Sequence, residues 1–319
     1  MIKLERRASA VLYNFLKSNF SSSPYIIPAN VCPAVPLTFL KAGIGFEIFD
    51  IDNKSHCLSE EAILDAFKKN QGRYAGLLYV RTYGVEDQRD DFFKAIKRID
   101  PKLVIIDDRC LCKPRFDIDE SCADLTLFST GYGKYVDIGS GGIGFIAEGM
   151  KYSNYIINGK VSTGHFAVSY QKQIDKFESC LQSSAKFVYV DNDWLESGSM
   201  PPLENYRKTV ATKTVLEDNY RSTINNIYVN NLPSEIQFPS SYQNWRFNLL
   251  IEKKKIMLER IFKDNLFASS HYKPISTSFN QEKAPNAEYL FKRVINLFNN
   301  KKVTPEMALK TCQIISSSL

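Results

Sequence analysis

The chain has 319 residues, with 41 Lys and Arg against 35 Asp and Glu, and therefore a formal net charge of +6. This length corresponds to about two domains, and it excludes a disulfide-stapled miniprotein. A hydrophobic fraction of 44% beside 24% charged residues is typical of a soluble globular protein and excludes disorder throughout. The small positive excess is diluted along the chain, so we expect no nucleic-acid partner.

The sequence also indicates the compartment. No window approaches the roughly 18 to 20 uninterrupted apolar residues of a membrane span, and we interpret the N-terminus as neither a signal peptide nor an anchor. The seven cysteines are odd in number and widely spread, which favours free thiols in a reducing cytoplasm. Because Cys110, Cys112 and Cys122 lack the spacing of a zinc knuckle, we expect no metal site.

In the first 150 residues, predicted helices and strands alternate. The chain opens with a predicted amphipathic helix over residues 4–17. The elements that follow are a strand at 25–28, a helix at 33–42, a strand at 46–50, a helix capped by Ser59, a strand at 76–80, a helix at 88–99 and strands at 102–107, 124–129 and 143–147. These strands are continuous apolar runs, which predicts a parallel sheet covered by helices on both faces.

The second half of the chain is less regular. Residues 151–205 show little periodicity apart from a possible helix at 171–182. Beyond them we predict a helix at 206–229, a strand near 244–251, a helix at 252–263 and a last helix that Thr304 caps and that runs to 315. The predicted domains are therefore 1–205, a large α/β domain, and 206–319, a small C-terminal domain.

Three polar segments follow predicted strands: RTYG at 81–84, DDRC at 107–110 and STGYGK at 129–134. The carboxyl ends of parallel strands lie along one edge of the sheet, where such sheets bind ligands. This coincidence predicts a small-molecule site.

Lys134 has an unusual setting in the third segment. Glycines around it allow a close approach of the backbone to a ligand, and the hydroxyls of Ser129 and Thr130 suit a phosphate. A partly desolvated lysine at this point can act as an imine-forming nucleophile. A plain glycine-rich loop is the alternative interpretation.

Asp107 and Asp108 follow the most apolar predicted strand. Because adjacent strand residues project in opposite directions, one carboxylate can face a ligand while the other caps a helix or pairs with Arg109. A carboxylate behind a pyridine ring keeps the ring nitrogen protonated, which an electron sink requires.

These segments together resemble the DegT/DnrJ/EryC1/StrS family, the pyridoxal 5'-phosphate (PLP) dependent sugar aminotransferases of the type I aspartate aminotransferase fold. YVRTYG resembles the family's His-x-Tyr-Gly segment, IIDDRC its Glu-Asp-Ala-Ala element, and FSTGYGKYVDIGSGG its Ser-Phe-x-x-x-Lys element. SSHYKPI, KAPNAEYLFKRVINL and VTPEMA resemble its C-terminal segments. The resemblance covers roughly 8–148 and 240–315. It implies a mostly parallel sheet in a large domain and a smaller α+β domain at the C-terminus.

The resemblance also implies a role for individual residues. Lys134 would bind the cofactor as an imine, Asp108 would face the pyridine nitrogen and Ser129 would bind the phosphate. Cys32 occupies the place of a ring-stacking aromatic residue. The candidates for substrate contact are Arg81, which stands where the family has His, and Tyr83, His271 and Tyr272.

The phosphate site departs from the family pattern. The family's Gly-Thr-x-Ala turn reads Arg7, Ala8, Ser9, Ala10 here. We expect Arg7 to replace the turn with a charge-assisted phosphate contact, although a surface arginine on the first helix is the alternative. The family's N-terminal arm is missing, and its Gly-x-Asn-x-Arg element has no clear match in 151–200, where GHF at 164–166 is nearest.

The function implied by the resemblance is that of a cytoplasmic, homodimeric PLP-dependent aminotransferase. Its substrate would be a nucleotide-linked keto sugar, with glutamate as the expected amino donor, in surface polysaccharide or amino-sugar biosynthesis. One alternative keeps the fold and cofactor with another reaction, a lyase or dehydratase; Lys134 disfavours the family's sugar dehydratases, which the resemblance says carry His there. The other is a non-catalytic relative that binds a partner or ligand, for which the altered phosphate turn argues.

Overall fold

The computed structural model describes residues 1–117, 121–155, 163–196 and 198–319, without the side chains of 163–166. In this part of the chain seven strands form one sheet in the order β1-β7-β6-β5-β4-β2-β3. Only β7 runs opposite to the others, so the predicted, mostly parallel α/β sheet is confirmed. The strands are β1 Ile2–Glu5, β2 Tyr25–Pro28, β3 Phe46–Phe49, β4 Gly76–Val80, β5 Val104–Asp108, β6 Leu125–Ser129 and β7 Gly142–Ile146.

Four helices connect these strands. They are α1 Ala8–Ser18, α2 Ala34–Ala42, α3 Glu60–Lys69 and α4 Asp90–Ile99. The Ser59 hydroxyl accepts the N–H of Ala62 at 3.3 Å and so caps α3 as predicted. Helices and strands share one apolar core, in which Phe92 and Phe93 of α4 pack on Tyr79 of β4.

The start of the chain corrects the predicted first helix. Residues 2–5 form β1, and the helix begins only at Ala8. Strand β1 pairs with β7, where Ile2 lies opposite Phe145, and this partner is about 140 residues away in sequence.

Gly142 permits the approach of α1 to β7, since a Cβ at this position would lie 2.2 Å from the Ala8 nitrogen.

Two long helices lead from the large sheet to the C-terminal part: α5 Thr163–Ser183 and α6 Leu203–Asn231. Tyr206 and Val210, near the start of α6, pack on Phe128 of the large sheet. Ile224 and Tyr228, near its end, belong to the core of the C-terminal part. The predicted domain boundary at 205/206 thus falls inside a helix that joins the two cores, and it stays a prediction.

The C-terminal part is α+β, as the resemblance implies. Its strands β8 Phe247–Leu250, β9 Ala268–Ser269 and β10 Val294–Leu297 form an antiparallel sheet in the order β8-β10-β9. Its helices are α7 Lys254–Lys263, α8 Pro285–Arg293 and α9 Pro305–Ser316. The Thr304 hydroxyl accepts the N–H of Met307 at 3.3 Å and caps α9 as predicted. Among the described residues, no helix is long and apolar enough to cross a membrane.

Candidate active site

Lys134 lies in the loop between β6 and β7, and the C-terminal part holds this loop from both sides. Trp245 Nε1 donates to the carbonyl of Gly133 at 2.8 Å, and Arg221 Nη2 donates to the carbonyl of Tyr135 at 2.8 Å. The Lys134 side chain is half-buried, and within the described ranges its amino group has no hydrogen-bond or ion-pair partner. Its backbone is therefore fixed while its amino group is free to react.

Asp108 ends β5 on the same side of the sheet as Lys134. It is 6% exposed, and its Oδ1 accepts the N–H of Cys110 at 2.9 Å. Burial raises the pKa of Asp108, while the nearby Lys134 ammonium acts in the opposite direction. The two residues thus form a close pair of opposite charges without a direct ion pair.

Asp107 points to the opposite face, as expected for adjacent strand residues. It is fully buried and accepts from Arg81 Nε at 2.7 Å, Arg81 Nη2 at 3.0 Å and Arg109 Nε at 2.7 Å. Arg81 is 1% exposed and also pairs with Asp87. The structure therefore does not bring Arg81 to the candidate site: its guanidinium is held behind the sheet by two carboxylates.

Ser129 and Arg7 meet at Gly131. A Cβ built on this glycine would lie 3.3 Å from Arg7 Nη1 and 3.5 Å from Ser129 Oγ, so its missing side chain leaves room between the two. Arg7 immediately precedes α1, and its carbonyl accepts the N–H of Ala10 at 3.0 Å. A guanidinium, a hydroxyl and a helix N-terminus thus surround one small space, which suits an anion.

Two further side chains modify this space. Glu196 is 6% exposed, and its carboxylate accepts from Arg7 Nε at 2.9 Å and from Arg6 Nε at 2.8 Å. Thr130 does not contribute, because its hydroxyl donates to the carbonyl of Ser140 at 2.7 Å and contacts the Tyr206 hydroxyl. Of the two hydroxyls expected to suit a phosphate, that of Ser129 is the less engaged, since it donates to the Gly141 carbonyl only at 3.5 Å.

Cys32 is a neighbour of both Tyr272 and Tyr170, and each tyrosine has a further charged neighbour in the candidate site. Burial, followed by the neighbouring Cys32, raises the pKa of Tyr272, and Asp108 acts in the same direction. Cys32 and Arg7 both influence the pKa of Tyr170, which burial raises. Sequence reasoning missed Tyr170, because the predicted helix began at residue 171 and nothing local indicated which face of it meets the sheet.

His271 lies on the side of the C-terminal part. Burial, Arg246 and Lys134 together lower its pKa to about 4, so that its imidazole is neutral near neutral pH. Tyr83 is buried behind it and donates from its hydroxyl to the His271 carbonyl at 2.5 Å. Tyr83 therefore supports His271, while Arg246, which sequence reasoning missed, is its charged neighbour.

The structure thus assembles most of the sequence-predicted residues on one side of the sheet. They are Arg7, Cys32, Asp108, Ser129, Lys134, His271 and Tyr272. Within the described residues, no group of three or more His, Cys, Asp or Glu is arranged to hold a metal ion, and Cys110 and Cys112 are buried free thiols.

Comparison with known proteins agrees with this architecture. The sequence matches no protein-family model and no curated protein sequence. Solved structures do match: a DegT DnrJ EryC1 StrS aminotransferase from Brucella abortus has a TM-score of 0.67 at 15% identity, over 99% of this chain and 85% of that one. The chain has the fold of the sugar aminotransferases.

Two further structures with this sugar aminotransferase fold extend the comparison. The sugar aminotransferase CalS13 from Micromonospora echinospora has a TM-score of 0.68 at 11% identity, over 100% of this chain and 87% of that one. The E. coli GDP-4-keto-6-deoxy-D-mannose-3-dehydratase, solved with bound hydrated PLP, has a TM-score of 0.62 at 15% identity, over 98% and 87%. The likeness spans both parts of the chain, which confirms the predicted fold class.

Proposed function

We propose that this protein is a PLP-dependent aminotransferase that acts on a keto sugar carried by a nucleotide. The observation that carries the proposal is the unpaired amino group of Lys134 beside the buried Asp108 carboxylate, at the strand ends of this fold. Similar structures described as sugar aminotransferases support the reaction class. A homodimer, a cytoplasmic location, glutamate as donor and a role in polysaccharide or amino-sugar synthesis belong to the same proposal.

The residues present fit the cofactor. Lys134 offers the amine that its aldehyde requires, and Asp108 is a carboxylate for its ring nitrogen. The space at Gly131, between Arg7 Nη1 and Ser129 Oγ, suits its phosphate. Tyr272 and Cys32 would stand beside its ring.

The chemistry then divides between the cofactor and the chain. When bound, PLP supplies an electron sink for the bonds around the donor's α-carbon. Lys134 Nζ, as a free amine, would take the proton from that carbon and pass it to the cofactor. Asp108 would hold the ring nitrogen protonated, and its burial would strengthen that interaction. His271 is neutral, so it can accept or donate a hydrogen bond without adding charge.

The test is covalent labelling. Purified protein supplied with PLP should absorb in the visible, and borohydride reduction should attach a pyridoxyl mass to the peptide that contains Lys134. Lys134→Ala should abolish the label, whereas Lys302→Ala should retain it; Lys302 Nζ lies near the same loop but donates to the Tyr132 hydroxyl at 3.1 Å. A label on another lysine would refute the assignment.

One observation favours a second candidate, a non-catalytic relative. Glu196 already compensates the charges of Arg6 and Arg7 beside the space at Gly131, as an anionic ligand would. Under this alternative the parent protein shows neither visible absorbance nor a borohydride label at millimolar PLP.

A further inference from the structure

The loop that carries Lys134 is rich in glycine and needs support from other elements. Between β6 and β7 it contains Gly131, Gly133, Gly139 and Gly141, and the last three have positive φ values. Glycine restricts the backbone less than any other residue, so this composition alone does not hold a side chain in one direction. Contacts with the rest of the molecule must therefore fix the direction of Lys134.

Tyr135, the residue after Lys134, is held by α6 at three points. Its hydroxyl donates to Asp218 Oδ1 at 2.5 Å, and its carbonyl accepts from Arg221 Nη2 at 2.8 Å. Its ring centroid lies 4.6 Å from the guanidinium carbon of Arg221. Asp218 and Arg221 are three residues apart and so share one face of α6. This face of the helix holds both the backbone and the side chain of Tyr135.

The two neighbouring side chains leave the loop in different directions. Lys134 influences the pKa of Asp108 and that of His271, so its amino group lies near both of them. Tyr135 turns to α6 and is 6% exposed. Because the two residues are adjacent in the chain, a rotation of the backbone that moved Tyr135 away from α6 would also move the Lys134 amino group away from Asp108.

The hydroxyl of Tyr135 is the strongest of these contacts. A hydrogen bond to a carboxylate is about twice as strong as one between neutral groups. Burial, followed by the hydrogen bond to Asp218, raises the pKa of Tyr135, so the hydroxyl keeps its proton and donates at neutral pH. It also lies at the far end of the side chain, where it opposes a rotation that a carbonyl contact would allow.

Lys113 contributes less. Its ammonium pairs with Asp218 Oδ2, but the two side chains are 39% and 32% exposed. Ion pairs with this exposure contribute little, because water screens them. The contact that matters for the loop is therefore the one between Asp218 and Tyr135.

We propose that Tyr135 and Asp218 are positioning residues, whose hydrogen bond connects the loop to α6 and directs the Lys134 amino group to its place beside Asp108. This inference rests on the proposed function. Helix α6 packs on the large sheet near its start and belongs to the C-terminal core near its end. The hydrogen bond thus fixes Lys134 with respect to both parts of the molecule.

The experiment compares two ligands of the full-length protein. PLP can react with Lys134, whereas 4'-deoxypyridoxine 5'-phosphate has a methyl group in place of the aldehyde and cannot. Tyr135→Phe retains the ring on Arg221 and removes only the hydroxyl. It should weaken PLP binding about tenfold, as expected for the loss of one charged hydrogen bond, and leave binding of the analogue unchanged. Fluorescence titration of the apo protein measures both affinities.

Further variants test whether the two residues act together. Asp218→Ala should reproduce the selective loss of PLP affinity, and the double variant should lose no more than either single one, because both remove the same hydrogen bond. Tyr220→Phe is the matched control. Tyr220 also lies in α6, but its hydroxyl donates to the Val303 carbonyl at 2.8 Å, so its loss should change neither affinity.

Three results would overturn the inference: PLP affinity in Tyr135→Phe equal to that of the parent, an equal loss for PLP and the analogue, or the same selective loss in Tyr220→Phe. Failure of the proposed function is separate, since it appears as a parent protein without visible absorbance at saturating PLP. In that case hydrogen exchange of the apo proteins decides. The loop peptide around Lys134 should exchange faster in Tyr135→Phe than in the parent or Tyr220→Phe, and equal exchange in all three would refute the positioning role.

Discussion

Arg81 and Arg246 are both buried and both lie against aromatic rings, yet their surroundings differ. Arg81, behind the large sheet, is held by Asp107 and Asp87. Arg246, on the C-terminal side of the site, has no carboxylate partner in the described chain. The comparison teaches that a paired arginine contributes to the fold, whereas an unpaired one carries a buried charge that the surrounding side chains do not compensate. Lys134 and Asp108 resemble Arg246 in this respect, because neither side chain forms a direct ion pair within the described residues.

The largest effect should come from breaking the paired region. Arg81→Met leaves the fully buried Asp107 with Arg109 alone, and we expect the free energy of unfolding to fall by about 3 to 5 kcal/mol. Urea denaturation of Arg81→Met beside Arg246→Met measures the contrast. Comparable losses in the two variants would contradict the distinction between a paired and an unpaired arginine.

The two adjacent aspartates test the same contrast by kinetics. Asp108→Asn should slow proton transfer by about two to three orders of magnitude, or 3 to 4 kcal/mol, because it removes the carboxylate that keeps the ring nitrogen protonated. Asp107→Asn should mainly reduce stability, since it weakens the Arg81 pair. Single-turnover kinetics and urea denaturation of both variants separate the effects. If Asp107→Asn slows proton transfer more, the pyridine partner has been assigned one residue too late.

A smaller effect concerns His271 in the candidate site, whose contribution to the free energy of unfolding depends on pH. His271 has a pKa of about 4 when folded, against 6.5 for an ordinary histidine. Between these values the unfolded chain binds a proton that the folded chain does not. The contribution of His271 to stability is therefore fully present above pH 6.5 and is lost as the pH falls toward 4, by up to roughly 3 kcal/mol.

In urea denaturations between pH 4 and 7, the free energy of unfolding of His271→Gln should fall less steeply toward low pH than that of the parent. His56, whose pKa is also lowered to about 4 by burial, is the control away from Lys134. If His271→Gln has the same pH dependence of the free energy of unfolding as the parent, the imidazole does not titrate as inferred.

The smallest effect concerns Arg7, which pairs with Glu196 and also borders the space at Gly131 proposed for the phosphate. Arg7→Ala should weaken PLP affinity by about 1 to 3 kcal/mol, the range for one charged hydrogen bond. Arg6→Ala removes the other partner of Glu196 and should weaken PLP affinity less than Arg7→Ala does. Titration of PLP into the apo proteins measures both. Equal affinity of Arg7→Ala and the parent would make Arg7 a residue of the ion-pair network only.

The sequence by itself determined the elements that local patterns control. Continuous apolar runs predicted β2 to β7, and side-chain caps at Ser59 and Thr304 marked the starts of α3 and α9, because hydrophobic periodicity and capping act over a few residues. The opposite orientation of Asp107 and Asp108 also followed from strand geometry alone. The order of motifs indicated the fold.

Only the tertiary structure decided what depends on distant partners. Strand β1 exists because β7 lies beside it, although its residues continue a helical pattern. Arg81 stands in a family site motif but turns to Asp107, while Arg246, which belongs to no motif, comes to face His271. Burial and counter-charge arise from residues far apart in sequence, so no local pattern distinguishes an arginine that the fold neutralises from one that it leaves free.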